Sequence, residues 1–143
     1  LVVLVLTACV LPGCVSQAEN SDYQYYHDTS RLFGKLGDSS LKITQLIDAE
    51  EYSAVKIRAE DMITAIDAYK LNSYDLTTSQ AKQMDDEVES ALKFYTYGLM
   101  YLIQAMDALM AGDVATANKL LELSTVDIRE AETHIIAINK LLP

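Results

Sequence analysis

Cysteine, proline and glycine are all scarce in this chain of 143 residues. Both cysteines, Cys9 and Cys14, lie near the N-terminus, which excludes a disulfide framework for the rest of the chain. No proline occurs between Val15 and Leu142, and the glycines of that stretch are Gly34, Gly37, Gly98 and Gly112. Long stretches without helix-breaking residues, rich in Ala, Leu, Glu and Lys, predict long α-helices.

Basic residues are also few, since 11 Lys and Arg stand against 21 Asp and Glu and give a net charge of −10. The acidic excess argues against a nucleic-acid partner, because phosphates would meet a surface of like charge. Half of the residues are hydrophobic, which excludes a disordered acidic tail and suffices for the core of one domain. We expect the charge to keep this domain soluble.

Residues 1–11 carry no charge and precede Pro12, Gly13 and Cys14. This segment is too short to span a bilayer but suits the apolar part of a secretory signal. Because the chain begins at Leu1, without Met or basic residues, we expect the start of the signal to be missing. An ordinary cleaved signal peptide and an uncleaved anchor are two interpretations of the segment.

A third interpretation is a lipid anchor. Residues 6–9 (LTAC) and 11–14 (LPGC) each resemble the lipobox of prokaryotic lipoproteins, in which an apolar residue and small residues precede the lipidated cysteine. Cys14 is favoured because residues 15–20 then form a polar tether, and Cys9 is the alternative. The resemblance implies a protein of the cell envelope, held by its lipid on the extracytoplasmic side of a membrane.

The remaining sequence predicts an all-α fold. Apolar or small residues recur at spacings of three and four over 25–46, 52–69 and 117–142, so each stretch has one face for a neighbouring helix. Capping-box spacing occurs in three pairs, Ser21 with Gln24, Asp48 with Glu51 and Thr77 with Gln80, and Gly112 marks a helix stop. The predicted helices are 21–47, 50–73, 78–111 and 113–142. Two glycines make 34–40 the weak point of the first predicted helix, which is either continuous, kinked or split there.

Short connections force consecutive helices to run in opposite directions, so we predict an antiparallel up-down-up-down four-helix bundle over residues 21–142. On this path Tyr69 and Tyr74 come to the same end as Tyr23, Tyr25 and Tyr26. These tyrosines either lie near lipid headgroups or pack the end of the bundle.

Few residues are suited to catalysis or metal binding. Neither His27 nor His134 belongs to the Glu-x-x-His pairs that a di-iron centre in a helical bundle requires. Ser124 falls in a predicted core stripe, where a small residue lets helices approach. The acidic run 85–89 is typical of a solvated face and matches no calcium loop. We therefore predict a non-enzymatic protein without catalytic residues, metal or cofactor.

Residues 91–112 are apolar on nearly every side. Leu92, Tyr95, Leu99, Leu102, Met106 and Leu109 form a predicted inward stripe, with Gly98 and Ala105 as points of close helix packing. Four large residues lie off that stripe: Phe94, Tyr97, Met100 and Tyr101. They are the predicted interaction face for a protein partner or a second copy of the chain. The alternative is a small-ligand-binding or sensory domain with a cavity lined by Tyr95, Gly98 and Met106.

Overall fold

The computed structural model describes residues 20–142, and in that range the chain is all-helical, without a strand. The four helices are α1 (Asn20–Asp48), α2 (Tyr52–Lys70), α3 (Ser79–Met110) and α4 (Val114–Leu141). The predicted all-α class and the number of helices are thereby confirmed. Within the same range no helix has the length and apolar character needed to cross a bilayer. The predicted signal, Cys9, Cys14 and the tether up to residue 19 lie outside the described residues.

The helix boundaries follow local backbone chemistry. α1 ends in a turn in which the amide of Glu51 donates to the carbonyl of Leu46 and Glu50 adopts a φ of 57°. The same pattern closes α3, where the amide of Asp113 donates to Ala108 and Gly112 has a φ of 79°. Both turns are Schellman motifs, which need a residue in the left-handed region. Glycine meets this need without strain at 112, whereas Glu50 adopts the same conformation with a side chain.

The first helix is a single element, and one helix end was predicted wrongly. α1 continues unbroken through residues 34–40 despite its glycines, because Leu36, Ser40 and Ile43 are buried against the other helices and packing outweighs the weak helix propensity of glycine. α2 ends at Lys70 instead of residue 73. Residues 71–78 form a connection rich in Asn, Ser, Asp and Thr, whose side chains compete with helical backbone hydrogen bonds.

The core is organised around α3, which contacts each of the other three helices and packs most closely on α4. No Cα atom of α1 lies within 8 Å of one of α4. Of the predicted inward stripe of α3, all members are buried except Leu109, which is half-buried. The stripe prediction is therefore confirmed for most of the helix.

The close approach of α3 and α4 depends on Gly98. A Cβ atom at this position would lie 2.6 Å from Cγ1 of Ile128 and 3.2 Å from the carbonyl oxygen of Ser124. The hydroxyl of Ser124 donates to the carbonyl of Gly98 over 2.8 Å. Ala105 is fully buried on the same helix. The predictions that Gly98 and Ser124 let the helices approach are confirmed.

A buried carboxylate joins the start of α1 to the start of α3. Asp22 is 3% exposed and accepts the backbone amides of Thr77 and Thr78 over 2.8 and 3.0 Å. It also accepts the hydroxyls of both threonines, over 3.1 and 2.7 Å. Burial opposes its ionisation, but these four hydrogen bonds leave the pKa of Asp22 below its ordinary value.

The cap of α3 differs from the predicted Thr77 and Gln80 pair. Thr78 is the N-cap residue, and its hydroxyl accepts the amide of Ala81. The side chain of Gln80 donates instead to the carbonyl of Leu141, near the end of α4, over 2.6 Å. Asp22 binds the amide and the hydroxyl of both threonines, and only the hydroxyl of Thr78 also accepts an amide of α3 within the described residues.

Candidate functional site

Four tyrosines cluster where the start of α1 meets the end of α2 and the connection that follows it. The ring of Tyr25 meets that of Tyr74 edge-on, with centroids 5.2 Å apart and planes at 74°. Tyr26 lies 5.9 Å from Tyr25, and Tyr69 lies 6.3 Å from Tyr74. The predicted meeting of α1 tyrosines with Tyr69 and Tyr74 is confirmed for the fully buried Tyr25 and for Tyr26. The ring of Tyr23 lies instead beside that of His27 and is exposed.

The hydroxyls of this cluster differ in their partners. Tyr69 shares a hydrogen bond of 2.6 Å with Thr29, and Tyr74 donates to Asp28 over 3.0 Å. The pKa of Asp28 lies below its ordinary value, mainly because Gln24 donates to the carboxylate. The hydroxyl of Tyr25 is buried but has no hydrogen-bond partner within residues 20–142. Buried polar groups without a partner are uncommon in folded proteins.

The electrostatic surroundings of Tyr25 are acidic and aromatic. Burial is the main reason that its pKa is raised far above the ordinary value, and Tyr69 and Asp85 raise it further. Tyr69 also has a raised pKa, again chiefly through burial. Both tyrosines therefore stay protonated at neutral pH, and each hydroxyl can donate one hydrogen bond and accept others.

A cleft of about 460 Å³ opens beside this cluster, between the last turn of α2, the connection and the first half of α3. Its walls combine the rings of Tyr69 and Tyr74 with the apolar side chains of Val88 and Leu92. Its polar lining consists of Lys70, Asn72, Asp85, Glu89 and Lys93. The volume falls in the range of about 300 to 1,000 Å³ that is usual for small-molecule sites.

Two more open hollows lie around the same connection. One, of about 510 Å³, includes Gln24, Asp28 and Tyr74, and the other, of about 300 Å³, includes Asp28, Arg31 and Tyr69. Asn72 borders all three spaces. The connection between α2 and α3 is therefore the part of the described surface where concave spaces meet.

The predicted interaction face on α3 is divided in the structure. Phe94 is half-buried and its ring stacks on that of His134, with centroids 5.8 Å apart and planes at 10°. Tyr101 is half-buried as well. Tyr97 and Met100 remain 45% and 46% exposed. Two of the four residues thus face solvent, and the other two are partly covered.

The three residues predicted to line a cavity lie in the packed core. Tyr95 is fully buried and its hydroxyl is hydrogen-bonded to that of Ser40. Met106 is fully buried, and Gly98 lies against Ile128. None of these three residues lines one of the three concave spaces described above.

The two histidines lie in separate pairs. Nδ1 of His134 is 2.7 Å from Oε2 of Glu87, and Nδ1 of the exposed His27 is 3.4 Å from Oδ1 of Asp28. Glu87 on the neighbouring helix is therefore a partner of His134, a pairing that sequence spacing within one helix does not indicate. Within residues 20–142 no three His, Cys, Asp or Glu side chains are grouped so that they could hold a metal ion.

Neither the cleft nor the unpartnered hydroxyl of Tyr25 can be recognised in the sequence. The periodicity of α1 places Tyr25 on the buried face, but whether its hydroxyl finds a partner depends on residues about 44 to 60 positions away. The one available signal was the cluster of tyrosines at a common end of the helices. No protein-family model, curated protein or solved structure matches this chain.

Proposed function

We propose that the four helices run up, down, up and down as an antiparallel bundle. Contacts between opposite ends of consecutive helices support this arrangement. Thr29, early in α1, pairs with Tyr69 at the end of α2, and Lys56, early in α2, lies 2.8 Å from Asp107 near the end of α3. Gln80, in the first turn of α3, donates to Leu141 at the end of α4.

We further propose that a lipid on Cys14 anchors this bundle to the extracytoplasmic side of a membrane, in the cell envelope. The support is the lipobox-like sequence of residues 11–14 and the polar residues that follow it. The acyl chains would supply the membrane attachment, because none of the four described helices has an excess of basic residues to bind anionic headgroups.

Replacing Cys14 with serine is expected to move the full chain from the membrane fraction to the soluble fraction and to abolish labelling by a radioactive fatty acid. The reason is that the proposed lipid is attached to the sulfur atom of Cys14, which serine lacks. Cys9→Ser is the matched control and should leave both properties unchanged. Loss of labelling in Cys9→Ser, with retention in Cys14→Ser, would contradict the assignment to Cys14.

We propose that the protein is a non-enzymatic module that binds a protein partner, or a second copy of itself, through the outward surface of α3. The observation that carries this proposal is the exposure of Tyr97 and Met100 on a helix whose inward stripe is already buried in the core. Tyrosine and methionine are adaptable contact residues, and adjoining exposed apolar side chains commonly mark interaction sites.

The double variant Tyr97→Glu and Met100→Glu is expected to abolish this association with little effect on the free energy of unfolding, because both positions are about half exposed. A photo-crosslinking residue at position 97, in membranes of cells that express the full chain, should give one discrete product that the Met100→Glu change removes. Light scattering then identifies a second copy as the partner if the purified chain is dimeric.

The matched control is Ile57→Glu, at a position of α2 that is 60% exposed. This change should alter neither the crosslinked product nor the molar mass. A strictly monomeric chain that gives the same crosslinks from positions 57 and 97 would reject the α3 surface as the binding site.

The cleft beside the tyrosine cluster favours a second candidate function, a domain that binds a small ligand. Its volume of about 460 Å³ suits such a ligand, and its lining combines aromatic, apolar and charged side chains. This candidate places the ligand at the connection between α2 and α3, away from Tyr95, Gly98 and Met106.

A further inference from the structure

The hydroxyl of Tyr25 is the described polar group that most clearly lacks a partner. The residue is fully buried, and the hydroxyl forms no hydrogen bond within residues 20–142. By contrast, the neighbouring hydroxyls of Tyr69 and Tyr74 are both bonded. A buried oxygen that can accept and donate hydrogen bonds is suited to a ligand that supplies the missing partner.

Tyr25 does not itself line the 460 Å³ cleft but lies next to residues that do. Tyr74, whose ring lies 5.2 Å from that of Tyr25, lines that cleft together with Tyr69 and Asp85, both of which raise the pKa of Tyr25. The side chain of Asp85 is exposed, so it can change rotamer at little cost and let a small group reach the hydroxyl. Tyr74, in the connection, covers Tyr25 from another side.

The charged side chains of the cleft are balanced, with two carboxylates and two lysines, but its aromatic rings favour a cation. Asp85 and Glu89 contribute two carboxylates, and the rings of Tyr69 and Tyr74 present faces that attract positive charge. The C-terminal end of α2, which carries partial negative charge, borders the same space, and the chain as a whole has a net charge of −10. Lys70 and Lys93 are exposed, and their long side chains can extend into solvent.

We propose that the cleft binds a small organic ammonium ion, whose N–H groups donate to the hydroxyl oxygen of Tyr25 and to the carboxylate of Asp85. The carbon chain of this ion lies against the rings of Tyr69 and Tyr74. The inference rests on the ligand-binding candidate function and is independent of the α3 surface.

Three probes with the same carbon chain test the proposal on the purified full chain at constant ionic strength. They are n-butylammonium, n-butyltrimethylammonium, which has no N–H group, and butyrate, which has the opposite charge. Binding is measured by calorimetry and by intrinsic fluorescence, which comes from the nine tyrosines because the chain has no tryptophan. We expect n-butylammonium to bind at least tenfold more tightly than n-butyltrimethylammonium, and butyrate not to bind.

Each other result overturns a defined part of the proposal. Equal affinity for the two cations would show that no N–H group is recognised, and binding of butyrate would reject the cationic class while leaving a ligand cleft in place. Absence of binding by all three probes would reject both the ammonium site and the ligand-binding candidate. Altered binding in the Tyr97→Glu and Met100→Glu variant would place the probe on the α3 surface instead.

The variant Tyr25→Phe removes the hydroxyl and keeps the ring. We expect it to weaken n-butylammonium binding about tenfold, the change that corresponds to one lost hydrogen bond of about 1.4 kcal/mol. Without the probe its denaturation midpoint should be equal to or higher than that of the parent chain, because an unpartnered polar group has been removed.

The control Tyr95→Phe, which loses a bonded hydroxyl, should lower the midpoint and keep the affinity. A lower midpoint in Tyr25→Phe with unchanged affinity would overturn the proposal, since the hydroxyl would then have an internal partner.

Discussion

Replacing Gly98 with leucine is expected to lower the free energy of unfolding by about 3 kcal/mol, near the upper end for overpacked cores. The first added carbon would already lie 2.6 Å from the side chain of Ile128 and 3.2 Å from the backbone oxygen of Ser124. Ile128 can adjust its rotamer, but the backbone of α4 must move away, and the hydrogen bond from Ser124 to the carbonyl of Gly98 then lengthens. Chemical denaturation followed by circular dichroism measures the loss.

Two alanine substitutions provide the matched comparison. Around a Cβ atom at Gly34, within α1, no atom lies within 4 Å, so Gly34→Ala is expected to stabilise the chain by up to about 1 kcal/mol through helix propensity alone. Gly98→Ala gains the same propensity but meets Ile128 and Ser124, so its net effect should be destabilising. If both variants were stabilised equally, α3 and α4 would be further apart than the 2.6 Å contact requires.

The helices and their buried faces could be predicted from the sequence because these features depend on local periodicity. The alternating spacings of α1 and α4, and the inward stripe of α3, reflect the helical repeat, which places residues three and four apart on one face. Small residues within such a stripe indicate close packing, which is why Gly98 and Ser124 were identified before the contact between them was known. The all-α fold class, the number of helices and the residues of the core can all be predicted from this pattern.

Features that depend on residues distant in the chain could not be predicted in this way. The sequence predicts one helix over 21–47 but leaves a kink or split at 34–40 open, because burial of Leu36 and Ile43 against other helices is not contained in local propensity. The threonines at the start of α3 are both bound by Asp22, a carboxylate more than 50 residues earlier, which capping-box spacing does not indicate. Similarly, Phe94 lies off the inward stripe but is partly covered by His134, so an apolar residue on an outer face need not be free.

The candidate sites combine both kinds of information. Tyr97 and Met100 were visible in the sequence as an apolar surplus, and the structure supplies their exposure. The cleft arises from the end of α2, which stops at Lys70 and leaves an eight-residue connection with Tyr74 near its middle. Because the predicted α2 extended to residue 73, the space beside Asn72 and Tyr74 could not be anticipated.

Replacing Asp22 with alanine is expected to lower the free energy of unfolding by about 3 kcal/mol, because buried amides that lose a charged acceptor keep their desolvation cost without a hydrogen bond. The amides of Thr77 and Thr78 both lose their acceptor in this variant. Asp22→Asn keeps one carbonyl oxygen and should lose about half as much. Asp38→Ala, at an exposed carboxylate of the same helix, should change stability by no more than about 0.5 kcal/mol.

The contribution of Asp22 to the free energy of unfolding should also depend on pH in a defined direction. Its pKa in the folded chain lies below the ordinary value of 3.8, so the unfolded chain binds a proton more readily than the folded chain does. The stabilisation is therefore complete above that value and is lost as the pH falls through it toward the lower pKa of the folded state. The stability difference between the parent chain and Asp22→Ala should shrink as the pH is lowered through and below 3.8, as measured by denaturation at each pH. Asp28 and Asp113, whose pKa values are also lowered, are present in both proteins and cancel in this comparison. A difference that stays constant over the same range would show that the carboxylate does not bind Thr77 and Thr78 as an anion.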